Sequence, residues 1–196
     1  MTARIIIAGI LGSIAMFIWS FIGHDVLPLG HVGIREIPDA QAVLTAMQTS
    51  MGQTSGLYFF PGLGVGPNPT GAQEREAMKH RNEQLAANPS GILIYHPPGY
   101  VFSFGKSLGT EFGAEFLEAL LVAFLLAQTS IASFGGRVGF ALVAGILASI
   151  ATNISYWNWY GFPGNYIAAY MCIQIVGFVC AGIVIALVLP KSTPQA

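Results

Sequence analysis

Three glutamates fall in the stretch TEFGAEFLEALL, and Glu111, Glu115 and Glu118 follow one another at i, i+4 and i+7. On a helix that spacing lines them along one face, over about 10 Å of axis. Carboxylates arranged in this way can ligate a cation, relay protons or accept hydrogen bonds from neighbouring helices. Which of these they do depends on their surroundings, and the surroundings are apolar.

Residues 113–133 read GAEFLEALLVAFLLAQTSIAS. A membrane-spanning helix takes ~20 mostly apolar residues, because hydrocarbon offers backbone amides no partner outside the helix. This segment has that length. Entered from the non-cytoplasmic side, it carries Glu118 about a third of the way into a ~30 Å hydrocarbon core. A lone carboxylate there costs ~2.5–3.5 kcal/mol on insertion scales, so a partner is expected. Three further segments, 5–22, 138–157 and 166–189, are long and apolar enough to span. Counted inward from their outer ends, Asn153 lies four residues inside Trp157 and Gln174 eight inside Tyr166, which brackets the depth of Glu115 and Glu118. Ser20, His24 and Asp25 close the outer end of the first segment. The sequence therefore predicts a polar layer in the outer third of the membrane, above inner portions that are almost purely apolar.

Several readings of that layer stand open. In one, Glu115 and Glu118 are protonated or held by hydrogen bonds to Asn153 and Gln174, with polar residues acting as interhelical glue. Alternatively the layer is an outward-opening ligand or cation site that uses the glutamates with His24 and Asp25. Contact with a partner protein or a proton path are further options, although no ionisable residue continues a path through the inner half. Di-iron bundles use Glu-x-x-His, and Glu115-Phe-Leu-Glu118 lacks the histidine.

The whole composition agrees with a membrane protein. Of 196 residues, 54% are hydrophobic and only 9% charged, eight basic against nine acidic. A soluble domain carries roughly a quarter charged residues. The balanced, scattered charge offers no footprint for nucleic acid. Nor is a nucleotide expected. Gly105-Lys106-Ser107 resembles the tail of a phosphate-binding loop, but the preceding glycine, Gly99, is one residue too distant and the intervening stretch is aromatic. Cys172 and Cys180, eight residues apart in one apolar run, would lie ~12 Å apart on a helix, too far to bridge. They read as small buried apolar residues, and no pattern identifies a cofactor.

Basic residues near span ends favour the cytoplasmic face. With four spans and the N-terminus inside, Arg4, Arg137 and Lys191 all fall on that side, so both termini are expected to be cytoplasmic, with a short tail at 191–196. The first span is expected to be retained, since its apolar run exceeds a usual signal core and no small-x-small site follows.

Residues 23–110 hold most of the charge and are expected to form a small α+β insertion outside the membrane. Asp39 is a candidate N-cap for AQAVLTAMQTSM. Thr70 with Gln73 fits a capping box opening QEREAMKHRNEQLAA, while GLYFF and GILIY read as strands that pair. Two strands alone are barely stable, so the insertion is expected to lean on the spans or on another chain. His24 and His31 flank DVLPLG without ligand spacing and read as interface hydrogen-bonding groups. WNWYGFPGNY, with Trp157 and Trp159, reads as an interfacial aromatic belt that can also floor a pocket.

The fold expected is thus an all-α transmembrane four-helix bundle, 1–22 and 111–190, with the insertion after its first helix. The role expected is that of an accessory or binding protein, lodged in the lipid bilayer with other membrane subunits as candidate partners. The alternative is a membrane enzyme or transporter using the glutamate face with His24.

Overall fold

The computed structural model describes residues 2–190. Met1 and the tail 191–196, with Lys191, lie outside the described residues. Six α-helices and one two-stranded sheet divide into two compact units, one formed by 2–35 with 103–190 and the other by Glu36–Phe102.

The first unit is helical. It comprises α1 (Thr2–Phe21), α4 (Phe104–Ala127), α5 (Phe134–Tyr160) and α6 (Gly164–Val188). Three helices are long and apolar enough to cross a membrane, Ala3–Val26, Phe134–Tyr160 and Gly164–Val188. The acids of α4 keep it out of that group. It begins at Phe104 rather than near 113, and it stops at Ala127 rather than near 133. The early stop has a local cause: Thr129 Oγ1 turns back to donate to the Leu126 carbonyl at 2.8 Å, and Ser133 Oγ accepts from Gly136 N–H to open α5.

Small residues bring these helices together. α1 packs along both α4 and α6, and α6 packs along α5, whereas α4 and α5 approach each other in only a few places. A Cβ on Gly9 would sit 3.0 Å from Leu120 Cα of α4, and one on Gly145 would sit 2.7 Å from Phe178 Cβ of α6. A Cβ on Gly182 would overlap the Ala141 side chain. Backbones this close give the dispersion contact that drives helix association where lipid removes the hydrophobic incentive. Ile5, Ala8, Met16, Ala119, Val122, Phe178 and Ile185 form the core between them.

After α1 the chain makes a π-helical turn, Ile22–Val26, and then a short 3-10 turn, Leu29–His31. These turns belong to the helical unit, so the polar unit starts later, and ends earlier, than 23–110. At Gly33, φ is +81°, and a Cβ would lie 2.8 Å from Tyr166 Cβ. Only glycine combines that left-handed backbone with so close an approach to the start of α6.

At the opposite end of the helices, Arg137 is 4% exposed and has no acidic partner in the ion pairs of the described residues. Its Nε donates to the Ile131 carbonyl at 3.0 Å, Nη1 to Leu189 at 2.8 Å and Nη2 to Pro190 at 2.7 Å. The guanidinium thus answers the orphan carbonyls and negative dipole end of α6.

The second unit contains α2 (Ala40–Met51), β1 (Gly56–Phe60), α3 (Gly71–Ala87) and β2 (Gly91–Tyr95). The strands pair antiparallel, Gly56 opposite Tyr95 and Phe60 opposite Gly91. Asp39 accepts from Ala42 N–H at the start of α2, and Thr70 and Gln73 form a reciprocal capping box at the start of α3. Neither helix has a buried residue. Tyr95 supplies the buried anchor, its hydroxyl donating to the Gly52 carbonyl at 2.9 Å and its ring meeting Tyr58 edge-on.

Replacing Arg137 by methionine is predicted to strip the partners from three carbonyls and lower stability by about 2–4 kcal/mol. Lysine, a point donor without the planar fork, should recover only part of this. Thermal unfolding in detergent measures the difference, and equal melting of R137M and the parent would contradict the assigned role.

Candidate functional site

Where α1 and α5 end and α4 and α6 begin, the four helices enclose a cavity of about 210 Å³. Its acidic wall comes from α4, because Glu111, Glu115 and Glu118 share one face. Asn153 and Thr152 enter from α5, and Gln174 and Tyr170 from α6. Tyr170 precedes Gln174 by one turn and so lies on the same stripe of its helix. Ser20 and His24 approach from α1 and its π turn, and Met16, Ala114 and Ile173 supply apolar lining. Among the described residues, no lysine or arginine lines the cavity.

Glu115 is the most enclosed of the acids, 4% exposed. Ser20 Oγ donates to its Oε1 at 2.5 Å. The other oxygen, Oε2, is buried without a hydrogen-bond partner. Glu118 is half-buried and Glu111 exposed. Asn153 bonds to Gln174 and not to the acids. Asn153 Nδ2 donates to Gln174 Oε1 at 3.2 Å and to the Ser149 carbonyl at 3.0 Å. The expected hydrogen bonding of Glu115 and Glu118 to these amides is therefore corrected: α5 packs on α6, which pairs the two amides, while α4 packs on α1, which brings Ser20 to Glu115.

His24 is held on three sides. Its Nδ1–H donates to the Ser20 carbonyl at 2.9 Å, its ring meets Tyr170 edge-on at 5.7 Å, and Gly30 lies against its Cδ2 edge. With Nδ1 donating to a carbonyl, the neutral ring carries its lone pair on Nε2. Ser20 therefore joins two cavity groups, its hydroxyl serving Glu115 and its carbonyl serving His24. A run of rings, Tyr156, Phe162, Tyr166 and Tyr170, with successive centroids 5.3, 5.6 and 4.8 Å apart, leads from the end of α5 to this histidine.

Asp25, His31, Trp157 and Trp159 do not line the cavity. The π turn directs Asp25 away while retaining His24, and Trp159 is 79% exposed at the end of α5. Among the described residues, no three histidine, cysteine, aspartate or glutamate side chains are grouped to hold a metal ion. Of the acids and histidine weighed together for a cation, His24 and the three glutamates line the cavity and Asp25 does not. Thr152 and Tyr170 were not singled out by sequence. The available signals were adjacency to Asn153 for one and the one-turn offset from Gln174 for the other.

The chain matches no protein-family model, and comparison with curated proteins and with solved structures gives no match.

A Cβ at Gly30 would fall 2.7 Å from His24 Cδ2. Gly30→Ala is thus predicted to swing the imidazole and break its bond to the Ser20 carbonyl. Nitrogen-15 NMR of labelled histidine reads this directly: Nδ1 of His24 should show a protonated-nitrogen shift in the parent and lose it in G30A. An unchanged His24 resonance would contradict the packing described.

Proposed function

We propose that this is a small integral membrane protein of four spans, with α4 as the fourth, that binds a small organic ammonium ligand in the acid-lined cavity. In this reading both termini are cytoplasmic and the cavity opens toward the other side. Arg4 and Arg137, at the end of the helices remote from the cavity, support the orientation. The burial of Glu115 against α1 supports α4 as a span, since acids within a membrane helix turn inward to partners.

The observation that carries the ligand class is the bare Oε2 of Glu115. A carboxylate oxygen enclosed without a donor is costly, and two further acids with no lysine or arginine nearby leave the cavity in need of positive charge. An ammonium bearing N–H groups supplies positive charge beside these acids and a donor for the His24 lone pair. Charge-assisted bonds of this type are stronger than neutral ones. The volume suits a compact group, below the ~300–1,000 Å³ usual for drug-sized ligands.

The test is a thermal melt of the purified protein in nanodiscs with ethylammonium, tetramethylammonium, ethanol and acetate. Ethylammonium at saturating concentration is predicted to raise the midpoint by about 2 °C or more, and the other three to do little. Glu115→Gln keeps an acceptor for Ser20 but removes the charge, so E115Q should fold and lose the ethylammonium response. An equal response in E115Q, or none in the parent, would count against the proposal.

A further inference from the structure

We infer that the ligand is a linear diamine, its two ammonium groups set apart along the acids of α4; this rests on the ammonium-binding reading above and names the ligand class of the same cavity. A single positive charge answers too little. Glu111, Glu115 and Glu118 all line the cavity, and among the described residues neither Glu111 nor Glu118 makes a hydrogen bond or an ion pair. One ammonium placed beside any of them leaves another without a counter-charge. The positive charge must also be spread. Following one another at i, i+4 and i+7, the carboxylates occupy about 10 Å of helix axis, and among the described residues no three acid, histidine or cysteine side chains are grouped to hold a metal ion. A compact divalent cation therefore finds no point where they converge, whereas a chain with a charge at each end runs alongside them.

The cavity is elongated in the same direction. From α1 and its π turn it is lined by Met16, Ser20 and His24, each about one turn beyond the last. Gly9 packs against Leu120 and the Phe17 ring meets Phe112, a register that sets Glu118 deep, near the level of Gly12, and Glu111 toward His24. Across the cavity, Ala141 lies against Gly182 and Gly145 against Phe178. Continued along α5 and α6, that register brings Asn153 opposite Tyr170, whose ring meets His24. Asn153 is therefore at the same end as Glu111. It is 6% exposed and lines the cavity, and both of its hydrogen bonds leave from Nδ2, so its Oδ1 has no partner among the described residues. An enclosed amide oxygen without a donor is a separate demand for an N–H group, made by a helix other than the one that bears the acids. One end of the slot thus offers Glu111, Asn153 Oδ1 and His24 Nε2 to an ammonium, and the other offers Glu115 and Glu118. Charges placed at Glu111 and between Glu115 and Glu118 stand ~8 Å apart along the axis. Extended bonds of ~1.5 Å advance a chain by about 1.25 Å each, so about five or six carbons bridge that distance.

The experiment is calorimetric titration of the unaltered protein in phosphatidylcholine nanodiscs, in low-salt buffer at neutral pH, where alkylammonium groups remain charged. It compares 1,5-diaminopentane with 5-amino-1-pentanol, which has the same length and one charge fewer, and with magnesium ion. The diamine is expected to bind at least about fivefold tighter than the amino alcohol, and magnesium to bind more weakly than either. Glu111→Gln removes one charge of the row and keeps an acceptor, so in E111Q the advantage of the diamine should fall below about twofold. The ethylammonium melt is run on the same samples. Equal binding of diamine and amino alcohol by the parent, an advantage that E111Q leaves intact, or tighter binding of magnesium would overturn the diamine while the ethylammonium response still stands. Failure of ethylammonium itself to bind would overturn the ammonium site, and this inference with it.

Discussion

A carboxylate set among apolar side chains has to be answered from its surroundings, and for Glu115 the answer is half complete. Ser20 of α1 donates to one oxygen, and the second has no partner. That bond adds a polar tie between α4 and α1 to the close apolar packing below it. The Ser20 carbonyl in turn fixes the His24 ring, so the acid and the imidazole are positioned through one residue. The remainder of the cavity is arranged around them. On the far side Asn153 donates to Gln174, which ties α5 to α6.

The helical unit has two ends of different character. One is finished: Arg137 gathers three carbonyls from the loop before α5 and from the end of α6, and little polar capacity is left over. The other holds the surplus, a carboxylate oxygen of Glu115 without a hydrogen-bond partner and two more acids on the same face of α4. Polar groups inside membrane helices are expensive enough that their distribution carries meaning. Here the surplus is gathered at one level and the apolar packing at the other.

Much of this level was legible in the chain. Spacing alone aligns Glu111, Glu115 and Glu118, and counting inward from the aromatic ends of the later segments brings Asn153 and Gln174 to the same depth. Both arguments rest on helical geometry, which is rigid. Partner choice was not legible, because it depends on which helices adjoin, and 3.6-residue periodicity does not reveal neighbours. The π turn was equally silent. It admits His24 to the cavity and excludes Asp25, two adjacent residues that sequence treats alike. Arg137 read as a topological charge, and its bonds to Leu189 and Pro190 depend on contacts across more than fifty residues. The bounds of α4 were misjudged because apolarity marks where lipid begins, whereas a helix continues as far as its backbone bonds allow. In the second unit the caps at Asp39 and Thr70 and the pairing of the strands were local enough to read.

The run of aromatic rings from Tyr156 to Tyr170 has one further consequence. The rings follow one another from Tyr156 through Phe162 and Tyr166 to Tyr170, whose edge meets His24, so aromatic contact is continuous from the corner joining α5 and α6 to the cavity. The corner that joins the two helices is thus built from the same rings that reach the histidine of the cavity.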